Sequence, residues 1–367
     1  MKHNQWNKTI IYSIIILLTS IISFNYIIDP YFVFNSSQIN GLNTIKRNTV
    51  SAKMSKFHTA KRSDAKIMLF GTSRTEHINP LYLKKYTDNK IYNMALPGSG
   101  INSQAENIKY FVEKKGVTTV FLGVDFFSFN PFHTDDKTES QNIRYKDDYT
   151  KDYMDSLLSI RTFRKSIKTL KDNLKSKKHN IDYYTGWRNY NDDYSHIEKE
   201  GNIFIEKNVI KQIKLYSSKR YNYNYPPFKE PSSLEEPFRY LKQIQDICEK
   251  NNVKIYMFIS PLYSRITDLI YSRGYDKSYH RWKKELSKYE NIYDFSGYNS
   301  ITTDISNYID GSHYQTKLAK FMFAKIFDDK SVDVPSDFGI ILSSKNIDKV
   351  LLEQSKRAKI NNESRKN

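Results

Sequence analysis

Cysteine is almost absent: the 367-residue chain has one, Cys248, which excludes an intramolecular disulfide framework and any cysteine-based zinc site within the chain. It lies in the helix-like run Phe238, Leu241, Ile244, Cys248, where burial is the natural reading rather than reactivity. Metal-ligand spacing is missing too. Of eight histidines, only His77 stands near a chemically interesting residue other than His313 itself, and no His-x-x-x-His pair or carboxylate cluster occurs, so neither metal nor other cofactor is expected. There is no internal repeat and no coiled-coil heptad pattern. Acidic residues are short, 40 against 58 basic ones, for a formal charge of +18. Such an excess ordinarily attracts polyanions. Here Lys, Asn, Ile and Tyr are frequent along the whole chain, so the excess reads as compositional drift and nucleic acid is not expected as a partner.

Charge is also absent from residues 9–28, TIIYSIIILLTSIISFNYII. About twenty such residues match the ~30 Å core of a bilayer. Lys2 and Lys8 precede the run and Asp29-Pro30-Tyr31 ends it, which favours a cytoplasmic N-terminus (residues 1–8) and an extracytoplasmic remainder, although Lys46, Arg47, Lys53 and Lys56 on the far side blur the asymmetry. The run is longer than a signal-peptide core and no Ala-x-Ala-like site follows, so an uncleaved single-pass anchor in the cytoplasmic membrane is expected. Residues 29–64 then read as a juxtamembrane linker.

Hydrophobic residues make up 39% of the chain, enough to bury a core. Short apolar runs at 65–70 (AKIMLF), 90–95 (KIYNMA), 118–124 (TTVFLGV), 253–260 (VKIYMFIS) and 291–295 (NIYDF) read as buried strands. Helical patterns over 103–115, 238–250, 279–289 and 315–327 fall between or after them. Strands joined by helices imply an α/β domain with a mostly parallel sheet covered on both faces, here over 65–330. Residues 131–231 interrupt the alternation as an insertion. Within it Leu157, Ile160, Phe163, Ile167, Leu170 and Leu174 mark an amphipathic helix with Lys and Arg on its other face, followed by a Tyr- and Asn-rich stretch over 182–225. Its rings suit either sugar stacking or a packed loop, and the packed loop is favoured. Residues 331–367 read as an extension with a short helix at 346–354 and a disordered basic tail.

Three pieces carry chemistry, each at the carboxyl end of an expected strand or before a helix. The first strand runs into Gly71-Thr72-Ser73-Arg74, and a serine on such a turn can combine exposure with nearby backbone N–H groups. The second strand runs into Asn93-Met94-Ala95-Leu96-Pro97-Gly98, where glycine lets backbone N–H approach a reacting oxygen. Near the end, Asp310-Gly311-Ser312-His313 offers an imidazole base and a carboxylate to hold its second N–H. Each alone has a bland alternative as a helix cap or turn.

In joint order and spacing these residues resemble the SGNH (GDSL-like) hydrolase superfamily over roughly 65–327 without the insertion. The resemblance implies a three-layer, flavodoxin-like α/β fold, with Ser73 as nucleophile and His313 and Asp310 as its base and orienting carboxylate. Gly98 and Asn93 fall in the block whose glycine N–H contributes to an oxyanion hole. One block departs from the pattern: where the superfamily has Gly-x-Asn-Asp, this chain has Gly123-Val124-Asp125-Phe126, and the Asp125 carboxylate cannot donate to an oxyanion unless protonated. Arg74, and with less support Asn102, are candidates for a replacement donor. With its single anchor the chain is similar to the membrane-attached SGNH-like proteins of alginate acetylation and teichoic-acid alanylation. That implies an O-acyltransferase or esterase acting on a surface polysaccharide with an acyl donor, alongside a membrane-bound O-acyltransferase. The alternative is a silent scaffold that binds glycan or that partner.

Overall fold

The computed structural model describes residues 2–130, 149–175, 181–188, 206–208, 210–211, 229–290 and 292–364. In chain order its helices are α1 (Lys2–Ile28), α2 (Ala52–Arg62), α3 (Ser73–Glu76), α4 (Ile101–Lys115), α5 (Thr150–Leu158), α6 (Ile160–Leu174), α7 (Glu235–Lys250), α8 (Ser264–Ser272), α9 (Asp276–Leu286), α10 (Ser300–Thr303), α11 (Leu318–Ile326) and α12 (Ile347–Ser364). The strands are β1 (Ile67–Phe70), β2 (Ile91–Asn93), β3 (Thr119–Gly123), β4 (Lys254–Ile259), β5 (Ile292–Asp294) and β6 (Ile340–Ile341). Two compact units result: Met1–Ser63 with Arg144–Gly186, and Asp64–Ile143 with Trp187–Asn367.

In the first unit, α1 is long and apolar enough to cross a membrane, with 24 residues from Gln5 to Ile28 whose side chains are mostly outward, Asn25 and Ile28 being buried. Its end is not a loose junction. Asp29 adopts a φ of 44°, and its buried carboxylate accepts N–H bonds from Val33 at 2.8 Å, Phe34 at 3.1 Å and Ser36 at 3.2 Å, closing a tight turn. Lys46, fully buried, donates to the carbonyl of Ile28 at 2.8 Å. Burial pushes the Lys46 ammonium down to about 8 although Asp29 pulls the other way. Arg62 of α2 donates to the carbonyls of Val33 and Phe32 at 2.8 and 2.7 Å. The expected linker over 29–64 is therefore folded. Its sequence hid this because α2 buries Ser55, Lys56, His58 and Thr59 beside Met54 and Phe57, with no apolar stripe to announce a packed helix.

The helices of the expected insertion belong to this same unit. The amphipathic pattern breaks into α5 and α6 at Ser159, whose Oγ accepts the Thr162 N–H at 3.1 Å. Most of the Tyr-rich stretch lies outside the described residues. Of its described part, Tyr183 accepts the Lys46 N–H at 2.8 Å and Tyr184 is exposed.

The second unit is an α/β domain whose sheet runs β2-β1-β3-β4-β5-β6. The first five strands are parallel, with Ile67 opposite both Ile91 and Thr119, Thr119 opposite Lys254, and Met257 opposite Ile292. Only β6 is antiparallel, pairing Ile340 with Asp294. The inner strands are apolar on both faces, as a doubly covered parallel sheet requires. Phe121 and Tyr256 stack at 4.9 Å on one face, with Phe323 of α11 edge-on to Phe121 at 5.6 Å. On the other face Phe70 meets Phe111 of α4 at 6.2 Å. Such an order reverses between β1 and β3, and open α/β sheets bind ligands beyond the carboxyl ends of the strands at a reversal of this kind.

The C-terminal expectation needs correction. α12 continues through the basic stretch to Ser364 because Ile347, Leu351, Gln354 and Ala358 share one buried face, and Asn361 and Asn362 bond Asp268 of α8. Lys and Arg simply point outward. Gln354 also joins a buried network: Lys283 of α9 donates to Asp294 at 2.6 Å, Ser296 at 3.1 Å and Gln354 at 3.3 Å. Both charges are fully buried. Removing one leaves the other without a counter-charge, which typically costs about 3–5 kcal/mol. Lys283→Met should therefore destabilise the full chain by about 3–5 kcal/mol in urea unfolding followed by circular dichroism in detergent. A loss below about 1 kcal/mol would mean the pair behaves as a surface bridge.

Candidate active site

The turn after β1 is shaped by what cannot fit there. Gly71 has a φ of +149°, and a Cβ at that position would lie 2.2 Å from Thr75 Oγ1. Glycine is required on both grounds. Thr72 then caps α3, its Oγ1 accepting the Arg74 N–H at 3.3 Å and donating to Asp125 Oδ2 at 2.5 Å. From residue 67 to 78 every residue is buried except Ser73. The hydroxyl is thus the one group the turn presents outward.

The loop before α11 has the same character. A bridge between Tyr308 and Tyr314 closes it, with Ile309 N–H donating to the His313 carbonyl at 2.8 Å and Gln315 N–H to that of Asn307 at 2.8 Å. From residue 307 to 314 only His313 escapes full burial. Asp310 accepts the N–H groups of Ser312 and His313 at 2.7 and 2.8 Å. The imidazole lies between two oxygens: His313 Nδ1 is 2.9 Å from Asp310 Oδ2, and His313 Nε2 is 2.8 Å from Ser73 Oγ. With a carboxylate on one side, Nδ1 carries the proton and Nε2 is left to accept from the serine hydroxyl. Burial works to raise the Asp310 carboxyl, but the His313 imidazole and the two N–H donors overcome it and hold it well below the ordinary carboxylate range.

One side chain ties the two loops together. Arg74 is 2% exposed. Its Nη1 lies 3.2 Å from Asp125 Oδ1, while Nε donates to the Ser312 carbonyl at 3.0 Å and Nη2 to Ser312 Oγ at 3.1 Å. Phe127 covers the guanidinium at 4.9 Å, and Tyr314 donates to the Arg74 carbonyl at 2.8 Å.

Ser73, His313 and Asp310 are therefore brought together, whereas the other expected site residues have different surroundings. Arg74 spends its donors on Asp125 and Ser312, so it is not a spare donor for an oxyanion; its exit from solvent follows from its place in a helix turn facing the β3 end. Asp125, 2% exposed, receives Arg74 and Thr72. Asn93 is buried beneath the turn, donating to the carbonyls of Thr75 and Ile78 at 2.9 Å each and accepting the Ala95 N–H at 3.1 Å, so it braces the loop and does not face the hydroxyl. Gly98 has a φ of +66° and sits half-exposed on the loop after β2, a loop held to the Ser73 turn by the Leu96 N–H bond to the Gly71 carbonyl at 3.0 Å. Asn102 lines a small depression with Ser128, Asn130 and Tyr240.

His77, noted in the sequence only for standing close to Ser73, proves to be a neighbour of the imidazole. Its ring stacks on His313 at 4.9 Å and 23°, while its carbonyl accepts from Thr316 Oγ1 at 2.8 Å and Trp187 Nε1 at 3.3 Å. Burial, then the proximity of His313, push its imidazole well below the usual histidine range, so it packs as a neutral ring. The available signal was spacing: His77 follows Ser73 by one helical turn. Among the described residues no group of three or more His, Cys, Asp or Glu side chains forms a metal-ligand set. No protein-family model matches the chain, and no curated protein matches it.

The His77 environment has a measurable consequence. Because the fold resists its protonation while the unfolded chain takes up that proton below about pH 6.5, stability falls as the pH drops from there toward the folded value. His77→Phe keeps a stacked ring and removes the proton. Its thermal midpoint in detergent should fall less between pH 7 and pH 5 than that of the native chain; parallel profiles would contradict a buried neutral His77.

Proposed function

We propose that this chain is a membrane-anchored serine acyltransferase or esterase of the SGNH type, acting on a cell-surface polysaccharide through an acyl-Ser73 intermediate. The observation that carries the reading is the Ser73–His313–Asp310 arrangement, in which the imidazole lies 2.8 Å from a hydroxyl 240 positions away and 2.9 Å from the carboxylate of its own loop. Its place beyond the carboxyl end of β1, and a helix fit to cross a membrane, support the enzymatic and the anchoring halves respectively. Lys2 and Lys8 ahead of the apolar run favour an extracytoplasmic catalytic domain.

The chemistry proceeds in two halves. Ser73 Oγ attacks the acyl carbonyl carbon of an ester or thioester donor as its proton passes to His313 Nε2. The tetrahedral intermediate collapses, the donor's leaving group takes that proton, and Ser73 keeps the acyl group. His313 then accepts the proton of a sugar hydroxyl, or of water, as that oxygen attacks the acyl-serine, and returns it to Ser73 Oγ. Asp310 stays ionised throughout and stabilises the imidazolium. The oxyanion would rely on backbone N–H groups, with those of Ser73 and Gly98 the candidates. Replacing an amide donor by the Asp125 carboxylate removes a contribution that elsewhere is worth about 10²- to 10³-fold. A slow enzyme, or one dependent on a membrane-bound O-acyltransferase partner, follows from that loss.

Asp125 also favours a second reading, a silent scaffold of the same type that binds glycan or the acyltransferase partner. A fluorophosphonate probe separates the two. Enzymatic action requires phosphonylation at Ser73 in the full chain, none in Ser73→Ala, and a rate lower by roughly 10³- to 10⁴-fold in His313→Ala and Asp310→Asn. No labelling of a folded native chain, together with restoration of polymer modification by Ser73→Ala in a deletion strain, would instead establish the scaffold.

A further inference from the structure

Helix α6 is built with its polarity reversed. Thr162, Ser166, Thr169, Asp172 and Asn173 are buried, and three of them bond inward: Ser166 to Asn25 at 2.8 Å, Asp172 to Arg47 at 2.5 Å, and Asn173 to the Ile45 carbonyl at 2.8 Å. Its apolar stripe is left outward. Ile160 is 71% and Leu174 70% exposed, and Phe163, Ile167 and Leu170, on the same stripe, are only half-buried. Beside the stripe runs a basic row. Five of the fifteen residues of α6 are Arg or Lys, and its single acid, Asp172, is turned inward to Arg47. A groove along the helix is lined by Ile160, Ile167 and this row.

Position gives the reversed helix a meaning. Within the same unit α6 packs on the last turns of α1, through Phe24 against Phe163 at 5.7 Å and through buried Asn25. Phe24 lies four residues before the end of α1, about 6 Å along its axis. A 24-residue apolar span is about 36 Å long, slightly more than a bilayer core of ~30 Å. The end that carries α6 therefore falls at the boundary between acyl chains and headgroups. Water there would meet an exposed apolar stripe; a lipid surface would cover it and place the basic row among phosphates.

We propose that α6 is an interfacial helix, seated in the membrane that α1 crosses, with its apolar stripe among the acyl chains and its basic row on anionic phospholipid headgroups. The seat depends on α1 crossing the bilayer, which belongs to the functional reading above, and is independent of acyl transfer. It fixes the first unit against the bilayer surface at two places instead of one. Concentration of positive charge is already felt at Lys165, which burial and then Lys168, Arg47 and Arg161 push below its ordinary value.

The test uses the full chain in phosphatidylcholine nanodiscs containing phosphatidylglycerol, with an environment-sensitive maleimide at Ile160→Cys or, separately, Leu174→Cys. Both positions are exposed, so neither change disturbs packing. Cys248, 1% exposed with its thiol pushed by burial up to about 12, does not compete for the label. Lipids bearing a doxyl quencher near the headgroup should quench both labels and aqueous iodide should not. Doxyl-phosphatidylglycerol should quench at least about twofold more than doxyl-phosphatidylcholine, and Arg164→Gln/Lys168→Gln/Lys171→Gln should abolish that difference. A label at Ile16→Cys reports α1 itself. Deep quenching there, with iodide quenching at Ile160 and Leu174, would keep the crossing and overturn the interfacial seat. Labels reached by neither quencher would mean that protein covers the stripe, which also overturns it, and iodide quenching at all three positions would overturn the crossing as well.

Discussion

The buried guanidinium of Arg74 is the constraint on which the candidate site depends. Three loops at the carboxyl end of the sheet carry its parts: the turn after β1, the loop after β3, and the loop before α11. None of them is rigid by sequence alone. Arg74 faces Asp125 of the second at 3.2 Å and the carbonyl and hydroxyl of Ser312 on the third. Both charges are 2% exposed, and an uncompensated charge at such a place typically costs several kcal/mol. Thr72, bonded to the other oxygen of Asp125, completes the carboxylate's coordination. A polar cluster of this kind is stable only when nearly every member is satisfied, and that all-or-nothing property makes it specify one geometry.

What the cluster specifies is the meeting of two otherwise unrelated side chains. Ser73 precedes Arg74, and His313 follows Ser312, so the same ion-paired side chain sets the separation of hydroxyl and imidazole. Neighbours remove the remaining freedom. His77 stacks beneath the imidazole, Asp310 holds Nδ1, and Tyr314 bonds the Arg74 carbonyl. Catalysis by a serine requires such positioning before substrate arrives, since reorganisation during the reaction would subtract from the rate. Asp125 thus has a structural use, its carboxylate holding Arg74 and Thr72.

Much of the sheet domain was legible in the sequence. All five parallel strands fall inside apolar runs that were expected as strands, because a strand buried on both faces leaves an uninterrupted apolar signature. The two-residue β6 carries no such signal, and α8 and α2 were not foreseen; α2 buries polar side chains that periodicity cannot distinguish from solvated ones. The Gly-Thr-Ser and Asp-x-x-His segments stood out as chemistry, but the directions of their neighbours did not. Arg74 and Asn93 have residue types suited to an oxyanion hole, yet both are braces, as is the Asp125 carboxylate, and only coordinates reveal which way an amide or guanidinium points. The same limit hid the reversed polarity of α6, whose spacing shows an amphipathic helix without showing which face is covered.

The proposed acyl transfer requires the Ser73 hydroxyl to be a nucleophile, made so by an imidazole that a buried ion pair holds in place. Its most direct measurement is intact and peptide mass analysis of the full chain after brief exposure to an activated acetyl ester near neutral pH. The proposed reading requires a mass gain of one acetyl group on the peptide containing Ser73, absent when His313 is replaced by alanine. An unmodified Ser73 peptide from a folded chain, or acetylation that is indifferent to His313, would contradict it.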